Sequence, residues 1–263
     1  MIANWLRRIT ARLLWVWLLT AAQVCGALDV RDIIQKSVEA NQRDFEAAPH
    51  YTYKETDRSG FSSKTYQVLM IDGSPYNQLI AINGKALSPE RNQEEVRKLN
   101  QVKAQRRSES PSQRRKRIES YEQDRRRDNE MTQQLTLAFN FKLVGERKSG
   151  GFDVYSLRAV PKPGYQPPNV DTQVLPGMTG ELWIDVKSFQ WVKVTARVIR
   201  EVSIEGFLAQ VEPGTRFELE KRPVGNGLWM ASHFSMYSQA KVLFLFNHNS
   251  QENQTFWDYQ RIY

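Results

Sequence analysis

The sequence predicts an α+β protein, built on a twisted antiparallel sheet with one apolar and one wet face. Three observations predict it. The last third alternates apolar and polar residues through run after run, the period of a half-buried strand. A stretch near the start, 29–45, repeats its apolar residues at helical spacing instead. Between them, 90–130 is almost wholly charged and polar. No repeat of roughly 20–50 residues is visible, which argues against a propeller or solenoid.

The elements follow in order. Arg7, Arg8 and Arg12 precede an apolar run from Leu13 to Val24 that is too short to span a bilayer comfortably. Cys25, Gly26 and Ala27 supply small residues before Asp29 turns the chain polar. Residues 1–27 therefore read as a signal peptide, and 28–263 as a single domain, periplasmic or secreted at the cell envelope. Val24 fits a lipid-anchoring signal poorly, so cleavage near Ala27 is expected rather than acylation of Cys25. No cysteine remains after cleavage, so an ordinary core must supply the stability. Losing three leader arginines lowers the formal charge from +8 to +5. Such a surface suits anionic lipid headgroups or nucleic acid. Export makes nucleic acid the poorer candidate, and none is expected as a partner.

Asp29 is a natural N-cap for a helix to Phe45, with Val30, Ile33, Ile34, Val38 and Phe45 on one face. Its polar face is mixed in sign, which favours packing over membrane binding. Strands are expected at His50–Asp57, Lys64–Asp72 and Gln78–Asn83, separated by turn residues such as Asn83-Gly84. Ser88-Pro89 then starts a charged helical excursion of about 89–134, split at Ser108-Glu109-Ser110-Pro111. It reads as a solvated segment laced by i,i+4 ion pairs and dispensable for folding.

A hairpin is expected at Phe139–Glu146 and Phe152–Val160. The region 161–180, with five prolines and three glycines, reads as a loop at a rim or lid. Strands follow at Glu181–Val186, Trp191–Val202, Thr215–Lys221, Leu228–Leu245 and Thr255–Tyr263. Val192, Val194, Ala196 and Val198 alternate with Lys193, Thr195 and Arg197; Phe217 and Leu219 alternate with Arg216, Glu218 and Glu220.

No catalytic constellation is present. His50, His233 and His248 lie far apart and at no metal-ligand spacing. There is no nucleophile elbow, zinc-protease motif or phosphate loop. Asp185 and Asp258 sit in strands beside aromatic residues, where an outward position is the commoner case. No enzyme activity, cofactor or metal is expected. A long polar insert and a low strand count argue against an outer-membrane barrel.

The run Gly180-Glu181-Leu182-Trp183-Ile184-Asp185, then a turn and a long strand beginning Trp191-Val192-Lys193-Val194, resembles the periplasmic lipoprotein carriers of the LolA/LolB-like superfamily, the outer membrane lipoprotein-sorting proteins. The order of elements resembles theirs over about 29–263, apart from a longer charged excursion. The resemblance implies a strongly curved antiparallel sheet, an incomplete β-barrel, with helices covering its concave face. It also implies a monomer that binds lipid or lipoprotein acyl chains in an apolar cavity, with an envelope protein as a further partner. The cavity would be lined by Val192, Val194, Phe217, Leu219, Phe234 and Met236 and covered by Ile33, Ile34 and Val38. The alternative is a non-carrier interaction domain of the same fold with a filled core, and cavity volume separates the two.

Overall fold

The computed structural model describes residues 29–204, 209–242 and 246–262. The expected leader, Cys25 and the expected cleavage site lie outside the described residues. Helix α1 (Val30–Ala47) starts where Asp29 accepts a hydrogen bond from the Arg31 N–H, satisfying one of the first-turn donors that have no intrahelical partner.

The chain then runs as a meander through β1 (Tyr51–Ser59), β2 (Ser62–Ile71), β3 (Ser74–Ile82) and β4 (Lys85–Ala86). Asn83 and Gly84 hold φ of 50° and 72° between β3 and β4, the two left-handed residues that a tight hairpin requires.

Helices α2 (Pro89–Ser108) and α3 (Pro111–Ala138) divide where the sequence places the break. Ser88 caps α2, and Ser110 forms a reciprocal capping box with Gln113 on α3. No residue of α2 is fully buried, in keeping with its composition. The excursion is nevertheless not free in solvent as expected, because arginines fasten it to the sheet. Arg106 donates to the carbonyls of Ile71 (2.7 Å), Ser74 (2.8 Å) and Pro75 (3.0 Å) in the β2–β3 turn. Arg117 donates to the Asp72 carbonyl and the Ser74 hydroxyl while paired with Glu109. Arg125 lies over the Phe45 ring and donates to the Phe45 carbonyl, tying α3 to α1. A count of apolar residues does not see this attachment, which uses charge-assisted bonds and aliphatic stems.

Strands β5 (Phe139–Ser149), β6 (Phe152–Pro161), β7 (Met178–Asp185), β8 (Trp191–Val198), β11 (Arg216–Gly225), β12 (Leu228–Val242) and β13 (Phe246–Arg261) complete the main path, with the short β9 (Val202–Ile204) and β10 (Ala209–Val211) beside it. The spatial order is β4-β3-β2-β1-β13-β12-β11-β8-β7-β6-β5. Neighbours are antiparallel, and β10 continues alongside β12 where β11 leaves off. Strands β4 and β5 end the path unpaired with each other, so the described residues form an open sheet of 13 strands, an incomplete barrel with α1 and α3 packed on one face.

Gly180, at the head of the β7 motif, leaves no room for a side chain. A Cβ there would sit 2.2 Å from the Thr195 carbonyl oxygen. The loop before β7 is not loose. Its Leu175 is buried against α3, and Tyr165 donates to Gln134 at 2.8 Å.

Beneath α3, Tyr53 stacks on Tyr259 (5.1 Å between centroids) and meets Phe256 edge-on. Burial pushes both phenols well above the usual tyrosine value. The sign follows from linkage. Unfolded phenols ionise near pH ~10, while the buried ones keep their protons, so the unfolded chain binds fewer protons above that point. This contribution is therefore intact below about pH 10 and shrinks as pH rises beyond it. Urea denaturation from about pH 8 to about pH 11 should show a midpoint that falls only at the alkaline end. Tyr53→Phe should flatten the fall, and an unchanged slope would mean that Tyr53 is not buried in solution.

Candidate functional site

The candidate site is the seam between α1 and the sheet. Ile33 is fully buried there, in a cluster with Tyr155, Leu157, Leu182, Ile184, Trp191 and Val194. Val30 and Ile34 pack at its edge, and Leu135 of α3 joins from the side. The buried stripe of α1 is otherwise small or polar: Ser37, Ala40, Asn41 and Asp44. Ile33 is the one large apolar residue of α1 that is wholly enclosed.

A polar lock occupies the rest of the seam. Lys221, projecting from β11, donates to Asn41 Oδ1 at 2.8 Å and to Asp44 Oδ2. The other oxygen of Asp44 accepts from Gln190 Nε2 and from the Trp229 N–H, each at 3.0 Å. The Trp191 indole donates to the Ser37 hydroxyl at 3.2 Å. Burial holds the Lys221 amine below its ordinary range, with Asp44 opposing that shift. The Gln190 Oε1 atom is buried without a partner.

The turn between β7 and β8 supports the lock. Asp185 is buried and accepts from the Lys187 N–H (3.2 Å), the Ser188 N–H (2.7 Å) and the Ser188 hydroxyl (2.7 Å). It is thus a turn staple and not the outward-facing acid expected. Phe189 adopts φ 58° at the end of this turn, stacks on Tyr155, and lies under Lys36 of α1. Asp258 pairs with Lys54 at 2.8 Å on the surface.

The expected lining residues divide. Val194 is buried under α1, and Phe217 and Leu219 pack against the same cluster. Met236 and Phe234 stand opposite Phe217 and Leu219 in register and are half-buried. Val38 is half-buried on α1, outside its fully buried stripe. Val192 is placed differently. It packs with Val154, Trp229, Phe152 and Trp183 in a separate cluster. The register shifts between Trp183 and Ile184, leaving Val192 as an extra residue and putting Trp191 opposite Ile184. Such a bulge breaks the alternation by which Val192 and Val194 would share a face.

Between α3 and the sheet is a cavity of about 30 Å³, lined by Leu135, Phe139, Phe141, Leu182 and Phe217 among others. That is room for about one water molecule. Among the described residues no cluster of His, Cys, Asp or Glu could hold a metal ion. His50 is exposed and His233 half-buried, while the side chain of His248 lies outside the described residues. No described helix is long and apolar enough to cross a membrane.

The arrangement defines an open antiparallel sheet with a helix locked over its apolar face. No protein-family profile and no curated protein matches the sequence. Among solved structures it is similar to a LolA superfamily protein from Nitrosomonas europaea, at 10% identity and a TM-score of 0.31, covering 90% of this chain and 94% of that one. It is also similar to a putative outer membrane lipoprotein-sorting protein domain from Vibrio parahaemolyticus, at 12% identity and a TM-score of 0.30, covering 86% and 92%. A third is MucB in complex with periplasmic MucA, at 10% identity and a TM-score of 0.26, covering 88% and 94%. At these values nothing about ligand or partner carries over.

Proposed function

We propose that this chain is an exported cell-envelope binding protein that takes acyl chains of a lipid or lipoprotein between α1 and the sheet, without catalysing a reaction. The described form is then the closed one. The observation that carries this reading is the fastening of α1. The helix lies over an apolar sheet face, but its fully buried contacts are a polar lock and one large apolar side chain, Ile33. Polar groups exchange protein partners for water at a limited net cost, about 1.5–3 kcal/mol for a hydrogen bond to a charged group such as Asp44 or Lys221. An uncovered apolar face gains about 0.8 kcal/mol for each CH₂ group it takes from water. A helix so held is a cover that a hydrophobic ligand can displace.

A specific observation favours a second reading. The apolar cavity is about 30 Å³, against the 300 Å³ or more typical of a ligand pocket. A core filled by its own side chains is what a non-carrier interaction domain needs, with an envelope protein as its partner. Mass spectrometry of an organic extract of the protein, purified without detergent from the envelope of exporting cells, separates the two. Stoichiometric acyl lipid supports the binding reading. Its absence, together with no uptake of added lipid, leaves the interaction domain.

A further inference from the structure

We propose that the opposite face of the sheet carries a second site, a groove that binds a phosphoryl group between Arg197 and Arg216. This rests on observations separate from the α1 seam. The groove measures about 770 Å³ and crosses β6, β7, β8, β11, β12 and β13, with Arg158, Arg197, Arg216 and Tyr237 among its lining.

Register fixes the arrangement. Arg197 of β8 stands directly opposite Arg216 of β11. Arg216 in turn faces Tyr237 of β12, and its guanidinium lies 5.1 Å from the centre of that ring. Like charges directly opposite on neighbouring strands are destabilising. Arginine cannot relieve the repulsion by losing its proton.

Nearby carboxylates do not relieve it either. Glu218 holds Lys193 at 2.6 Å. Glu181, opposite Arg158, holds Arg147 and accepts from the Trp183 indole, each at 3.3 Å. Among the described residues neither Arg158 nor Arg197 makes an ion pair or a side-chain hydrogen bond. Two facing, exposed arginines thus have no anionic side chain of their own among the described residues, a place that an outside anion would complete.

A phosphoryl group fits this anion best. Two guanidinium forks on adjacent strands can each engage a pair of oxygens, and a phosphate offers enough oxygens for both. The Tyr237 hydroxyl accepts from Gln239 at 3.1 Å, leaving its own proton for an incoming oxygen. The groove is far larger than a phosphate, so the rest of a phosphate ester lies along it. The phosphoryl group belongs either to a soluble ester or to a lipid headgroup.

The test uses glycerol phosphate in calorimetry at matched ionic strength, and co-sedimentation with phosphatidylcholine vesicles with and without phosphatidylglycerol. The wild-type chain should bind at least one of the two probes saturably. The double variant Arg197→Gln, Arg216→Gln should lose at least about tenfold in affinity, as expected for charge-assisted contacts. Without ligand, the variant should melt no lower than wild type, because a repulsion has been removed. Loss of the glycerol phosphate signal identifies a soluble ester, and loss of the vesicle signal alone identifies a headgroup. No saturable binding of either probe by wild type, or equal binding by the double variant, overturns the proposal.

Discussion

Lys221→Met is expected to destabilise the protein by about 3–5 kcal/mol, because it leaves a buried carboxylate without its cation. The Lys221 and Asp44 side chains are 10% and 5% exposed, so water replaces little of what is lost. Gln190 and the Trp229 N–H would still donate to Asp44, but neither carries charge. The second half of the expectation is the informative one. Adding Asp44→Leu to Lys221→Met should recover a substantial part of the stability, since an apolar pair can replace a buried ion pair at little cost. Recovery will be incomplete, because Gln190 and the Trp229 N–H then lose their acceptor. Chemical denaturation of both variants reads this directly. Equal stability of Lys221→Met and wild type would show that the lock is open in solution.

Ile33→Asp should have an effect at least as large. Ile33 is fully enclosed by Leu157, Leu182, Ile184 and Trp191, and no cation lies in that cluster. An unpaired carboxylate there either remains charged at high cost or takes up a proton and still lacks partners. A loss of at least about 4 kcal/mol is expected, against roughly 0.5–1.5 kcal/mol for Ile33→Val. Hydrogen exchange should show α1 losing protection before the strands do. An Ile33→Asp chain as stable as the Val variant would mean that α1 does not rest on the sheet.

The α1 seam shows what the sequence reveals and what it hides. The helix itself is legible from the spacing of Val30, Ile33, Ile34 and Val38, and its start from Asp29. Its buried face is not, because Ser37, Asn41 and Asp44 score as polar and are assigned to solvent. One signal was available. Phe217, Leu219 and Lys221 share the inward parity of β11, and a lysine in that series needs a buried partner. Alternation puts Val194, Phe217 and Leu219 on one face, the face on which they pack, since strand period is local. It misplaced Val192 because a bulge is a property of a strand pair, invisible in either strand alone. The start of β13 is another case. Asn247 to Gln254 is a run of polar residues that reads as loop, yet it pairs with β12 through Lys241↔Asn247 and Phe234↔Gln254. Cross-strand pairing overrides weak intrinsic preference there. The Ser-Pro breaks before α2 and α3 were legible because caps are short-range chemistry. The arginine bonds to the β2–β3 turn were not, since a guanidinium meeting three carbonyls leaves no periodic trace.

The most direct measurement of whether α1 covers a lipid-binding face is a fluorescence titration of residues 28–263 with a long-chain fluorescent fatty acid. Phe234→Glu and Lys142→Glu serve as variants, each first shown to be folded by circular dichroism. Phe234 is half-buried on the sheet face that α1 covers, opposite Leu219, while Lys142 is exposed on β5. Expected are saturable binding to the unmodified chain, at least about tenfold weaker binding to Phe234→Glu because a charge meets the acyl chain, and no change for Lys142→Glu. A wild-type chain that shows no saturable binding would rule out an acyl-binding face under α1 and leave the interaction domain with its filled core.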